Sequence, residues 1–93
     1  MEKVTSISIE QCCVYYNIEV SFLHKLDEHG LIELSRSDEM IYIDFEQLSD
    51  LEKYMHLHYE LEINLEGLET IKHLLNQVDQ LQKEVNRLKG ETE

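Results

Sequence analysis

From Asn64 to Gly90 the chain has no proline and only Gly67 inside it, and its apolar residues follow a seven-residue pattern. Ile71, Val78 and Val85 fall at position a, and Leu74, Leu81 and Leu88 at position d. This feature limits the fold most, because a helix of about 25 residues with one apolar stripe reaches beyond what a small domain can cover. Such a seam needs a second helix. β-branched residues at a with Leu at d favour two parallel strands, but the seam spans fewer than three full heptads and the e and g positions carry no charge code. Leu75 at e widens the apolar face. A homodimer through Ile71, Leu74, Val78, Leu81, Val85 and Leu88 is expected, with strand direction open; the alternative is a helix that folds back on its own domain.

What precedes the long helix is small. Ninety-three residues in all leave room for one modest core, which oligomerisation would help to stabilise. The absence of Pro and the presence of only three Gly, alongside 42% hydrophobic content, point to a folded and mostly helical chain. Ser8-Ile9-Glu10-Gln11 has the form of a capping box, with Ser8 as N-cap and Ile7 and Cys12 placed to staple across it, so a first helix is expected from Ile9 to Tyr16. Asn17-Ile18 then turns the chain. A second helix carries Val20, Leu23 and Leu26 toward Gly30, a left-handed stop.

Two short apolar runs, Leu31-Ile32-Glu33-Leu34 and Met40-Ile41-Tyr42-Ile43, flank the polar segment Ser35-Arg36-Ser37-Asp38-Glu39 and predict a β-hairpin wing. Asp44 is placed to cap a third helix through Leu48, Leu51, Met55 and His58 to about Glu62, with Leu57 and Leu61 in the core. Asn64 is placed to cap the fourth, which should stop at Gly90. The expected division is an acidic winged-helix domain over 1–63, a dimerising helix over 64–90 and a tail over 91–93.

Charge divides the chain in the same way. Residues 1–69 hold sixteen Asp/Glu against four Lys/Arg, and residues 70–93 hold four of each, so the net charge of −12 belongs to the first part. A helix-turn-helix with a wing commonly grips DNA, yet DNA affinity comes largely from Lys and Arg set against phosphates. Here the second helix and its flanks carry Glu19, Asp27 and Glu28 against Lys25, and the wing offers Arg36 beside Asp38 and Glu39. The charge argues against nucleic acid and for a basic protein partner.

Catalysis finds no foothold in this sequence. It has no glycine-rich phosphate loop, no nucleophile motif and no Cys/His cluster with ligand spacing, so a binding module without metal or cofactor is expected rather than an enzyme. Cys12 and Cys13 are adjacent, which suits neither a disulfide nor a metal pair, and with Ile9 and Tyr16 they form an apolar stripe to be buried. His56 and His58 point roughly 200° apart on a helix and cannot share a metal from one face. His58 is expected to be a partly buried structural histidine. No run of about 18 apolar residues could span a membrane, and Met1-Glu2-Lys3-Val4 opens no signal-like block, so a cytoplasmic protein is expected.

The order helix-turn-helix, wing, third helix and long helix resembles the MerR-type regulators over about residues 7–89. Those regulators carry an Arg followed by two Tyr where this chain has His24-Lys25-Leu26, and an Arg near a Tyr where it has Met40-Ile41-Tyr42, so the DNA-contacting residues are largely missing. A narrower resemblance is to the CbpM family of chaperone modulators. Leu57, Glu60, Leu61, Ile63, Asn64, Gly67 and Leu68 fill that family's pattern in order, and Ile9-Glu10-Gln11-Cys12 suits its start. The resemblance implies a protein that binds the J-domain of a CbpA/DnaJ-like co-chaperone and blocks its stimulation of a DnaK-type chaperone. Asn64 and Gly67 are then expected to be structural. The contacts, chosen by charge, are expected at Asp27, Glu28, Glu60, Glu62 and Glu66. The alternatives are a MerR-like DNA-binding regulator and a bare dimerisation subunit.

Overall fold

The computed structural model describes residues 5–91. Its elements are β1 (Ser6–Ser8), α1 (Ile9–Tyr16), α2 (Val20–Glu28), β2 (Leu34–Ser37), β3 (Met40–Asp44), α3 (Leu48–Met55) and α4 (Leu65–Glu91). A 3-10 turn, Phe45–Gln47, leads into α3, and a wide π-type turn, His56–Glu60, leads out of it. The result is mostly helical, with one small antiparallel sheet.

The first helix forms where its cap places it, and the second ends at its glycine. Ser8 Oγ accepts the Gln11 N–H at 3.2 Å, one of the donors a helix start leaves without a partner. Asn17 takes a left-handed conformation at φ 57° and sends its N–H back to the Cys13 carbonyl, which closes α1 in one residue. Gly30, at φ 71°, turns the chain after α2, as its lack of a Cβ permits. The following Leu31 and Ile32 drop into the core, their N–H groups both directed at the Leu26 carbonyl.

That descent shifts the wing from its expected place. Leu31–Ile32 is a core plug, and the first wing strand runs over Leu34–Ser37 instead of 31–34. The turn tightens to Asp38 and Glu39, both at positive φ (50° and 66°), the geometry a two-residue hairpin with right-twisted strands requires. A third strand, β1, was not anticipated from the sequence. It pairs with β3 in the register Ser6↔Asp44, Ile7↔Ile43 and Ser8↔Tyr42, giving the order β1-β3-β2.

The core collects residues from every helix, from β3 and from the Leu31–Ile32 plug. Cys12, Leu23, Leu26, Ile43, Leu51 and Leu68 are fully buried, and each large aliphatic among them contributes about 1.5–3 kcal/mol by leaving water. Leu68 ties the root of α4 to the domain. Lys72 Nζ donates to the Gly30 carbonyl and His29 meets Glu69, which adds polar links between α2 and α4.

The third helix departs most from expectation. Asp44 makes no side-chain cap bond, and α3 ends at Met55 rather than near Glu62. The chain then widens: the Leu61 N–H reaches the His56 carbonyl, the Ile63 N–H reaches Leu57, and Glu62 stands at φ 58°. His58 Nδ1–H donates to the Ile63 carbonyl at 2.9 Å. This unwinding turns Leu61 out to 56% exposure instead of into the core, while Leu57 stays half-buried.

Asn64 and Gly67 act together at the start of α4. Asn64 Oδ1 accepts the Gly67 N–H at 2.8 Å, and a Cβ on Gly67 would meet Ile63 Cγ2 at 2.7 Å and Asn64 Oδ1 at 3.1 Å. The helix does not stop at Gly90 but includes it and Glu91. Of the tail expected over 91–93, residues 92–93 lie outside those described. Nor does the helix fold back on its own domain, since every residue from His73 to Gly90 is exposed.

Candidate functional site

The α1-turn-α2 unit presents a face poor in positive charge. Ser21, Lys25 and Glu28 are exposed on α2, and the Ser21 hydroxyl donates to the Glu19 carboxylate at 3.3 Å. Glu19 caps the helix by backbone position alone, without a side-chain bond. On the wing Arg36 is exposed, but so are Asp38 and Glu39 at its tip. Phosphates approaching this face would meet more carboxylates than cations.

The five acids expected to bind a partner are in different situations. Asp27 is half-buried and its carboxylate accepts the Leu34 N–H at 3.4 Å, which fastens α2 to the wing. Glu28 is exposed and lines a shallow depression with Glu69 and Lys72, across the gap between α2 and α4. Glu60, Glu62 and Glu66 are all exposed around the α3–α4 junction. Glu60 pairs with His56 at 2.7 Å.

His56 and His58 diverge because the π turn carries one outward and one inward. His58 stacks on Phe22, with ring centroids 4.9 Å apart and planes at 25°. Cys12 and Cys13 are buried free thiols. Burial, then the neighbouring Cys13, pushes the Cys12 thiol up to about 11, and burial, then Glu10, raises that of Cys13. A raised thiol is a poor nucleophile. Among the described residues no group of three His, Cys, Asp or Glu is placed to hold a metal ion, and no helix is long and apolar enough to cross a membrane.

One feature of this face was missed from the sequence: an open cleft of about 500 Å³ where the end of α1, the outer side of α2 and the π turn converge. Tyr16, Phe22, His58 and Tyr59 give it an aromatic lining. Burial, then the carboxylate of Glu52, raises the Tyr16 phenol, and burial, then Glu19, does the same for Tyr59. The sequence offered little signal for this group, because Tyr16 and Tyr59 lie far apart in the chain and in elements of different type.

The α4 seam is the second unfilled surface. Leu74, Leu75, Val78, Leu81, Val85 and Leu88 are each 48–60% exposed, and Ile71 is half-buried. A contiguous apolar stripe of this length marks an interaction surface.

Comparison with known proteins gives two matches. A family model described as "MerR HTH family regulatory protein" covers residues 7–90. The chain is also similar to the "Chaperone modulatory protein CbpM" of Pseudomonas entomophila (strain L48), at 29% identity over 87 residues, which is 92% of this chain and 86% of that protein. No solved structure gives a significant match.

Proposed function

The chain belongs to the MerR HTH regulatory-protein family, and from that premise we propose that it acts on a protein instead of DNA. It is a chaperone modulator that binds the J-domain of a CbpA/DnaJ-like co-chaperone and keeps it from stimulating a DnaK-type chaperone. The observation that carries this reading is the placement of charge, sixteen acids against four bases over residues 1–69, in a fold whose relatives are built to meet a polyanion. Similarity to CbpM over most of both chains supports the same partner class.

J-domains approach their chaperone with a basic helix. An acidic protein that covers this helix competes with the chaperone, and opposite charge speeds the encounter. Glu28, Glu60, Glu62 and Glu66 are exposed to serve as that surface, Glu60 beside its partner His56, while Asp27 divides its carboxylate between solvent and the wing. The protein is a binding module of the cytoplasm, needs no cofactor, and pairs with a second copy through the seam from Ile71 to Leu88.

The test is calorimetry of the protein with the isolated J-domain of its own host's co-chaperone at about 50 and 200 mM salt, a range over which screening changes strongly. Saturable binding that weakens with salt is expected, and reversing Glu28, Glu60 and Glu66 to Lys should weaken it by at least about tenfold. Equal affinity for the reversed variant would sink the assignment. The helix-turn-helix and wing support a second reading, a DNA-binding regulator that uses Lys25 and Arg36; tight, salt-sensitive binding to a palindromic DNA site without J-domain binding would favour it.

A further inference from the structure

The acids account for attraction to a basic partner but not for where that partner seats, and the cleft beside α2 offers a seat. Its floor is made by Phe22, only 5% exposed, with Tyr59 packed against both Phe22 and His58 at centroid distances of 5.1 and 5.0 Å. Tyr59 nevertheless remains 51% exposed. Its position is pre-set, because the bond from His58 to the Ile63 carbonyl holds the turn that carries it, so binding needs little ordering of this wall. Ile18, Met55 and Leu65 complete the apolar lining.

The lining holds one carboxylate, Glu19, and one cation, Lys25, and two further acids lie beside it. Glu19 lies on the wall near Tyr59, Glu52 lies near Tyr16, and Glu60 follows Tyr59 in the turn. Lys25 is the one Lys or Arg among the described residues lining the cleft. An apolar slot flanked by Glu19, Glu52 and Glu60 against Lys25 alone fits an amphipathic helix that presents one large apolar side chain between basic ones.

We propose that this cleft receives a basic amphipathic helix of the partner, with an apolar side chain seated among Tyr16, Phe22 and Tyr59 and flanking Lys or Arg against Glu19, Glu52 and Glu60. The inference rests on the J-domain reading and adds to it the site of docking. Rigid aromatic anchors in a preformed pocket are where binding energy concentrates, and the exposed face of Tyr59 can also take a cation. Lys25 opposes a basic ligand at this site. α2 thus becomes one wall of a protein-binding cleft.

Three variants at exposed positions test it by calorimetry against the same isolated J-domain, with folding checked by circular dichroism. Ser21→Trp fills the cleft from α2 and Tyr59→Ala removes its outer wall; each should weaken binding by about tenfold or more. Lys25→Glu removes the opposing charge and should tighten binding by about threefold at low salt. If the unmodified protein binds the J-domain while Ser21→Trp and Tyr59→Ala bind within about twofold of it, the cleft proposal falls and the J-domain reading stands. Absence of binding by the unmodified protein overturns both, as does DNA binding that Lys25→Glu abolishes.

Discussion

Cys12 is fully buried, and its thiol is pushed from 9.0 to about 11 by that burial and then by Cys13. The folded chain therefore holds this proton more tightly than the unfolded chain. Its contribution to stability is complete below pH 9.0 and is lost as pH rises toward about 11, because the unfolded state ionises first. Tyr16, Tyr54 and Tyr59, all raised chiefly by burial, move stability in the same direction. Urea melts should show a lower midpoint at about pH 10.5 than at about pH 7.5, with a smaller drop in Cys12→Ala; midpoints independent of pH would show that these groups remain hydrated in the folded chain. The burial of both cysteines was legible in the sequence, since their spacing from Ile9 and Tyr16 makes one helical stripe. That of Leu61 was misread by the same rule, because the helix that would have buried it unwinds first.

Elements begin where local hydrogen bonds are available and end where packing makes them end. The junction between α3 and α4 shows both. Asn64 caps α4 through the Gly67 N–H, and the absence of a side chain at Gly67 lets Ile63 and the cap lie against the helix. Gly→Ala inside a helix ordinarily stabilises by about 1 kcal/mol. Gly67→Ala should instead destabilise by about 1 kcal/mol, since the new methyl meets the stiff branch of Ile63 at 2.7 Å and must displace either it or the cap. Urea denaturation of this variant beside Asn64→Ala, whose lost cap costs about 1 kcal/mol, checks both, and a stabilised Gly67→Ala would show that the junction yields freely. Asn64 and Gly67 could be read from their residue types. The π turn before them could not, as neither Gly nor Pro marks it and a Glu holds its left-handed position.

Over the whole molecule the dimensions are 52 × 41 × 19 Å, and α4 runs 27 residues, or about 40 Å, most of it without cover. An isolated amphipathic helix gains most of its stability from packing its apolar face. The proposed pairing of two copies along Val78, Leu81 and Val85 would meet that need; on that reading Leu81→Asp should convert the protein to a monomer in sedimentation equilibrium and lower the helical signal of α4. A single molecular weight for both proteins, equal to that of one chain, would remove the dimer. The charge pattern acts at this scale too, because salt changes the field of the entire acidic domain more than any one ion pair.

The helix caps at Ser8 and Asn64, the heptad seam and the imbalance of charge are properties of neighbouring residues or of simple summation, and the sequence by itself determined them. A cap needs partners two or three positions away, a seam repeats along one helix, and charge adds without regard to fold. Tertiary structure alone decided that Ser6–Ser8 becomes a strand, that α3 opens into a π turn, and that Tyr16, Phe22 and Tyr59 surround one cleft. Each of these depends on chain segments far apart in sequence meeting around a shared core, where the burial of Leu23, Ile43 and Leu51 sets positions that no local propensity encodes.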